Sequence, residues 1–405
     1  MSFQFDHRQL ADEMEIFFLN EEIGAGLPIW LPNGVAIRDS LELFIKNLER
    51  KGGYQRVVSP HLGKGILYER SGHLRAFDEN MYPPLKGIEE NSDYYLRPMN
   101  CPHHHKIFGS SLRSYRQLPL RIAEYGQVYR FENSGSLKGL SRVRGLCQND
   151  AHIYVDPVDA KNEILSVLDL HEHCYRVLGL RGYRYRLSKS DSKRPNDFDG
   201  PLPLWQEAED ILRQCLMEKN LPFFEAEGEA AFYGPKIDVQ IQMSHGQEES
   251  IASIQLDFNS ADKFELNFIA SSGESKRPWI IHRAPLGSHE RFVALLLEFF
   301  DGTLPGWLCP VQLYILPINE DQYPFAKNLA DSFSDKGIRA VVDNNVGSLS
   351  KRILFAHKFR PLYKLVIGKN EMLSGQFSMQ GREGDRVVYR QEIENFLLKR
   401  IAIPG

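Results

Sequence analysis

The chain of 405 residues has no apolar run long enough to span a membrane and no early apolar stretch of signal-peptide shape. These absences point to a cytoplasmic protein with no membrane partner. Its five cysteines, Cys101, Cys147, Cys174, Cys215 and Cys309, are an odd number and form no C-x-x-C pair. That pattern argues against a disulfide framework and leaves free thiols or, for one of them, a metal ligand. There is no P-loop, no dinucleotide fingerprint, no internal repeat and no low-complexity segment. Charge of one sign is also scarce: the net is -4, which carries no global mark of a nucleic-acid binder.

What is present is 42% hydrophobic and 25% charged residues, enough to bury more than one core. Leu10, Met14, Phe17 and Phe18 have the spacing of a short amphipathic helix. Asp39 reads as the N-cap of a helix running to a Gly52-Gly53 stop. Residues 55–59 read as a strand ending at Pro60, and residues 120–129 as a second strand. Alternation at Tyr183, Tyr185 and Leu187, at Ile237, Val239 and Ile241, and at Ile254, Leu256 and Phe258 predicts antiparallel strands. Helices and long antiparallel strands without regular alternation make the fold class α+β.

An apolar helix over residues 291–300 is followed by Gly302, Pro305, Gly306 and Pro310, which break the pattern and mark a domain boundary. Residues 311–316, 322–336 and 340–343 then follow in β-α-β order, so a small α/β domain is expected. The division drawn from this is 1–303 and 304–405. From Lys351 to Gly405 there are eleven Lys/Arg and five Asp/Glu, a local net of +6. Such a balance suits a phosphate backbone, and suits a solvated charged face equally well.

Two arginines carry the candidate chemistry. Arg130, in Tyr129-Arg130-Phe131-Glu132, closes a strand and opens a loop that holds Lys138, Arg142 and Arg144; Arg291, in Gly287-Ser288-His289-Glu290-Arg291-Phe292, opens a helix. Guanidinium groups so placed can grip the two ends of a polyphosphate. Cys101 precedes His103-His104-His105 at a strand-to-helix junction. Taken alone, that run reads as a surface or capping cluster.

Several words in order carry a resemblance: Met99-Asn100-Cys101-Pro102, Arg130-Phe131-Glu132, Ser134-Gly135-Ser136-Leu137, Arg142-Val143-Arg144-Gly145 and Asp150-Ala151-His152. Phe232-Tyr233-Gly234-Pro235-Lys236-Ile237, Gln255-Leu256-Asp257-Phe258 and Ile281-His282-Arg283-Ala284 follow. With these the chain resembles the class II aminoacyl-tRNA synthetases, and most closely the threonyl-tRNA synthetase family. The resemblance implies an antiparallel-sheet catalytic domain with flanking helices, followed by an anticodon-binding-like domain. It implies activation of L-threonine with ATP and transfer to tRNA, with Zn2+ on Cys101, His152 and His282 and Mg2+ accompanying ATP. Arg130 and Arg291 would be catalytic. ATP would meet Arg130, Glu132, Arg142, Leu146 and Arg291, and the amino acid Met99, Gln148, Asp150, Tyr233, Lys236, Gln255 and Ser288. Pro60 resembles the proline at the family's dimer interface, so a homodimer is expected.

The chain also departs from the family. Leu146 stands where a Phe usually lies under the adenine, Asn149 replaces an Asp, and Ser250 replaces a Gln. Asn344-Asn345-Val346-Gly347-Ser348-Leu349-Ser350-Lys351-Arg352 occupies the place of a segment that faces the anticodon, and Gln380 that of an anticodon-reading Arg, although Glu371 matches. Anticodon readout is therefore doubtful. The start at Met1-Ser2, almost at the catalytic core, suggests a short form without the N-terminal module and the editing domain, served by a separate trans-editing deacylase. Two alternatives stand beside this reading: a paralogue that loads threonine onto a carrier protein or a non-standard tRNA, and a catalytically dead regulatory or RNA-binding homologue.

Overall fold

Eight strands form one central sheet. In chain order they are β1 (Gln55–Arg56), β2 (Leu120–Tyr129), β3 (Gly145–Val155), β4 (Arg184–Lys189), β5 (Phe223–Glu227), β6 (Lys236–Gln242), β7 (Glu248–Asp257) and β8 (Trp279–Ala284). Their spatial order is β5-β4-β6-β7-β8-β3-β2-β1. The five inner pairings are antiparallel and the two outermost are parallel. This computed structural model describes residues 6–89, 92–243, 246–382 and 384–404. Met1 and Ser2 at the start, and Glu383 and Gly405 of the basic C-terminal stretch, lie outside the described residues.

Contacts divide the chain into two compact units. Among the described residues, one holds Glu21–Leu27 and Leu48–Ala294; the other holds 6–20, Pro28–Asn47 and the residues from Leu295 onward. The N-terminal expectations need correcting. Helix α1 (His7–Glu13) buries Leu10, but Phe17 and Phe18 form a short strand paired with Ile29 and Trp30. Helix α2 (Pro32–Lys51) begins at a proline, whose preset φ suits the first helical turn, so Asp39 lies inside the helix instead of capping it. The stop at Gly52-Gly53 is as expected, with Gly53 at φ 73°. The strand expected over 55–59 pairs at Gln55 and Arg56, with Val57 donating to the Ala123 carbonyl at 3.0 Å. It leaves the ladder because the Ser59 N–H is taken by the Glu124 side chain at 3.1 Å.

Helix α3 (Cys101–Phe108) starts just after a strand that ends at Leu96. Helix α4 (Ala160–Leu178) buries Ile164, Val167, Leu168, His171, Cys174, Tyr175 and Leu178, a stripe at helical spacing that packs against β8 and α5 (Leu202–Glu218). It ends on Gly179 in the left-handed conformation at φ 70°. Helix α6 (His289–Phe299) occupies the place of the apolar helix expected over 291–300.

In the second unit, β9 (Leu313–Pro317), α7 (Tyr323–Ser334) and β10 (Ala340–Val342) form the expected β-α-β, with β9 and β10 parallel. Helix α8 (Leu349–Lys358), β11 (Tyr363–Ile367), β12 (Gln376–Gly381), β13 (Arg386–Tyr389) and α9 (Arg390–Ile401) follow, with a short helix, Lys369–Ser374, between β11 and β12; the sheet order is β10-β9-β11-β12-β13. Leu313, Ile315, Leu329, Phe333, Leu365 and Phe377 lie in its core. The whole is α+β: an antiparallel-rich central sheet with flanking helices, and a smaller α/β unit. No described helix is long and apolar enough to cross a membrane.

Candidate active site

Three distant segments bring Cys101, His152 and His282 together. His152 on β3 and His282 on β8 are direct cross-strand partners with ring centroids 4.4 Å apart, and Cys101 is the first residue of α3. Their candidate ligand atoms all lie within 4.8 Å of one another, and all three residues are buried. Burial and the neighbouring His282 hold the His152 imidazole well below its usual pKa, so it stays neutral, as a metal ligand must be. Burial, with Asp150 and Asp257 nearby, pushes the Cys101 thiol well up. A cation would reverse that cost by stabilising the thiolate. One sulfur and two nitrogen donors match the preference of zinc.

The triad borders a cavity of about 90 Å³. Met99, Gln148, Asp150, Tyr233 and Gln255 line it as well. The Asp150 carboxylate accepts from Asn100 Nδ2 at 3.0 Å. Asn100 has room because position 126 on β2 is glycine, where a Cβ would overlap its carboxamide. Tyr233 stacks on His282 with centroids 5.0 Å apart and donates its hydroxyl to Gln255.

Arg130, Gln148 and Gln255 also line a second cleft of about 250 Å³ together with Glu132, Arg142, Leu146, Lys236, Ser288 and Arg291. Arg130 makes no ion pair among the described residues, its Nε donating to the Pro98 carbonyl at 3.3 Å. Burial and then the charge of Arg291 lower its pKa, the mark of cations gathered where an anion would relieve them. Arg291 donates to the backbone carbonyls of Ser141 at 3.2 Å and Ser250 at 2.8 Å, which aims its guanidinium, and its Nε lies 3.8 Å from the Glu249 carboxylate. Arg142 is paired with Glu132 at 2.8 Å. Gln148 and Ser288 form a backbone bridge. Leu146 packs with Val128 and Val143 under the cleft. Every residue named from the sequence for the catalytic, amino-acid, ATP or metal site therefore borders one or both cavities.

The histidine run is a correction. His103, His104 and His105 are all buried, not a surface cluster. His105 Nδ1 meets the Tyr154 hydroxyl at 2.9 Å, and burial brings its pKa down to about 3. His104 bridges His152 and Glu124, and Asp257 meets His282 Nε2 at 3.0 Å. Sequence reasoning passed over the roles of Asn100, His104, Glu124 and Asp257. A usable signal existed for Glu124: a carboxylate in the buried phase of an apolar strand, between Ile122 and Val128.

In the second unit, Arg352 is buried and bound to Asp343, which also accepts from Tyr314 at 2.9 Å. Glu371 accepts the Gly368 N–H at 2.9 Å, and Gln380 lies opposite Lys364 in the sheet.

Residues 85–300 match the family described as tRNA synthetase class II core domain (G, H, P, S and T), and residues 312–400 match the anticodon binding domain. A protein named threonine–tRNA ligase from Prosthecochloris aestuarii is 41% identical over 385 residues, covering 94% of this chain and 59% of that one. Another of that name, from Listeria monocytogenes, is 40% identical over 398 residues, covering 98% of this chain and 62% of its own length. The chain thus spans about three-fifths of the curated relatives it matches. A crystal structure described as the RNA binding domain of threonyl-tRNA synthetase from Cryptosporidium parvum superposes with a TM-score of 0.91 at 32% identity, covering 99% of both chains. Prolyl-tRNA synthetase from Giardia lamblia shares the fold, with a TM-score of 0.74 at 16% identity. The sheet, the two matched domains and these relatives establish that the chain belongs to the class II aminoacyl-tRNA synthetases, among the threonyl-tRNA synthetases.

Proposed function

We propose that this chain is an ATP-dependent threonine–tRNA ligase, forming threonyl-adenylate and passing threonine to the 3' end of a tRNA. One observation carries the reading: the small cavity bordered by Cys101, His152 and His282 meets, at Arg130, a cleft that also holds Arg291 and Lys236. An amino acid and a polyphosphate placed in these two spaces would have their reacting ends at the same guanidinium.

Cys101, His152 and His282 would hold zinc, and three protein ligands leave a position open. When bound, the metal would take both the amine and the hydroxyl of threonine, whereas valine, nearly the same shape, has no hydroxyl to offer and would leave a coordination position unfilled. Asp150, oriented by Asn100, accepts from the α-ammonium, since an ammonium withdrawn from water needs a charged acceptor. Met99, Gln148, Tyr233, Gln255 and Ser288 surround the rest of the amino acid. Arg130 aligns the threonine carboxylate with the α-phosphate and stabilises the charge that builds during attack. No general base is needed, because the carboxylate is itself the nucleophile. Arg142 and Arg291 hold the outer phosphates with Mg2+, Glu132 meets the adenine edge, and Leu146 lies beneath it.

The test is threonine-dependent pyrophosphate exchange with and without a chelator, alongside metal analysis. Active protein free of zinc would refute the recognition mechanism. A homodimer belongs to the same reading, supported by Val58, which is 93% exposed two residues before Pro60 at the sheet edge. A separate deacylase that clears seryl product is a further proposed partner, because serine keeps the hydroxyl.

One observation favours a second reading, in which threonine goes to a carrier protein or a non-standard tRNA: the Arg352 guanidinium, in the segment that would face an anticodon, is spent on Asp343. Aminoacylation of total tRNA compared with purified carrier proteins decides between them.

A further inference from the structure

We infer that His104 and Glu124 are positioning residues for the metal centre, which together determine which nitrogen of His152 faces the metal. The inference rests on the zinc reading above and adds residues outside the ligand set.

The argument is a chain of hydrogen-bond polarity. Glu124 is buried, and both its oxygens are engaged. Oε1 accepts from the Ser59 N–H at 3.1 Å and from Arg97 at 3.1 Å; Oε2 accepts from the Ser59 hydroxyl at 2.7 Å and faces His104 Nε2 at 3.0 Å. An ionised carboxylate has acceptors and no donor, so the His104 proton sits on Nε2. In a neutral imidazole His104 Nδ1 is then an acceptor, and it lies 2.8 Å from His152 Nδ1. The shared proton must therefore come from His152 Nδ1, which leaves His152 Nε2 with a free lone pair as the ligand atom.

Reversing any link reverses the outcome. Were His104 to donate from Nδ1, the His152 proton would move to Nε2 and close the ligand position. On the other imidazole, Asp257 plays the carboxylate part directly. Its Oδ1 is engaged by the N–H groups of Asn259 and Ser260 at 2.9 Å each, and its Oδ2 faces His282 Nε2 at 3.0 Å, leaving His282 Nδ1 for the metal. One ligand histidine is thus set through a single carboxylate and the other through a carboxylate and a second imidazole. Arg97 steadies the longer arm, donating to Ser59 Oγ at 2.6 Å as well as to Glu124.

The experiment measures zinc content and zinc affinity by chelator competition, and the absorption spectrum of the cobalt-substituted protein, for wild type, Glu124→Gln and His104→Gln. Glu124→Gln is nearly isosteric, but its amide can donate to His104 and turn the relay round. Glu163→Gln is the control, because Glu163 is a buried carboxylate paired with Arg121 at 2.6 Å and has no link to the triad. We expect zinc affinity to fall about 10- to 100-fold in both relay variants, with altered cobalt bands, and to stay unchanged in the control. If Glu124→Gln does not fold, His104→Gln and Ser59→Ala decide by the same readouts. Folded relay variants with wild-type zinc affinity and cobalt spectrum would overturn the relay and leave the metal reading intact. A wild-type protein that binds no zinc would overturn both.

Discussion

Asn100 donates its side-chain amide to Asp150 across 3.0 Å, and that contact depends on the absence of a side chain at Gly126. The pair links the start of helix α3 to strand β3, so the carboxylate assigned to the substrate ammonium is aimed by a neighbour and not by its own rotamer alone. Gly126→Ala should push Asn100 aside without touching any group assigned to substrate. The KM for threonine in pyrophosphate exchange should rise about tenfold, the equivalent of about 1.4 kcal/mol, in line with a lost hydrogen bond to a charged group. An unchanged KM would show that Asp150 holds its place unaided.

Arg130→Ala and Arg291→Ala should each lower the rate of threonyl-adenylate formation by at least about 100-fold, the usual cost of removing a group that stabilises transition-state charge. Neither side chain is part of the core, so the melting temperature should move little. Near-normal exchange in either variant removes that residue from the catalytic set.

Serine retains the hydroxyl and lacks one methyl, which a pocket discriminates by about 10- to 200-fold. Exchange rates should therefore fall in the order threonine, serine, valine, with serine inside that range and valine well below it. Valine equal to serine would exclude selection through the metal position.

Glu124 offers a pH test. Burial raises its pKa, but hydrogen bonds from His104 and Ser59 and the charge of Arg97 outweigh burial and bring it down from 4.5 to about 2. A depressed carboxylate pKa contributes stability that is complete above the unfolded value and disappears as pH falls through the folded one. The contribution, about 3 kcal/mol, should be present above about pH 4.5 and be lost between there and about pH 2. Denaturant titrations of wild type and Glu124→Gln should differ at neutral pH and converge near pH 2. Parallel curves across that window would show that Glu124 is not held ionised by its partners.

Local order was legible from the residues themselves. Alternation marks β2, and the arginine beside it enters the cleft at the end of that strand. The β-α-β order of the second unit shows in three short runs because helical and strand periods differ. Two local readings failed where a non-local partner or a competing start signal decided. Phe17 and Phe18 fit a helical stripe on spacing, but pairing with Ile29 and Trp30 makes them a strand. Asp39 has good capping chemistry, yet Pro32 begins the helix a turn and more earlier.

The site divides in the same way. Residue identity determined the chemistry available: a thiol, imidazoles, carboxylates and guanidinium groups, the last already grouped in recognisable words. The Cys101 run alone argued for a surface or capping cluster, and nothing in its spacing selects His152 and His282 from the other histidines. That choice belongs to the register of β3 against β8, which sets those two rings edge to face at 4.4 Å, and to α3, which delivers Cys101 and His104 to the same point. Register is a long-range hydrogen-bonding property of the folded sheet, so the three candidate ligands, the carboxylates beside them and the arginine between the two cavities come together only when the tertiary structure forms.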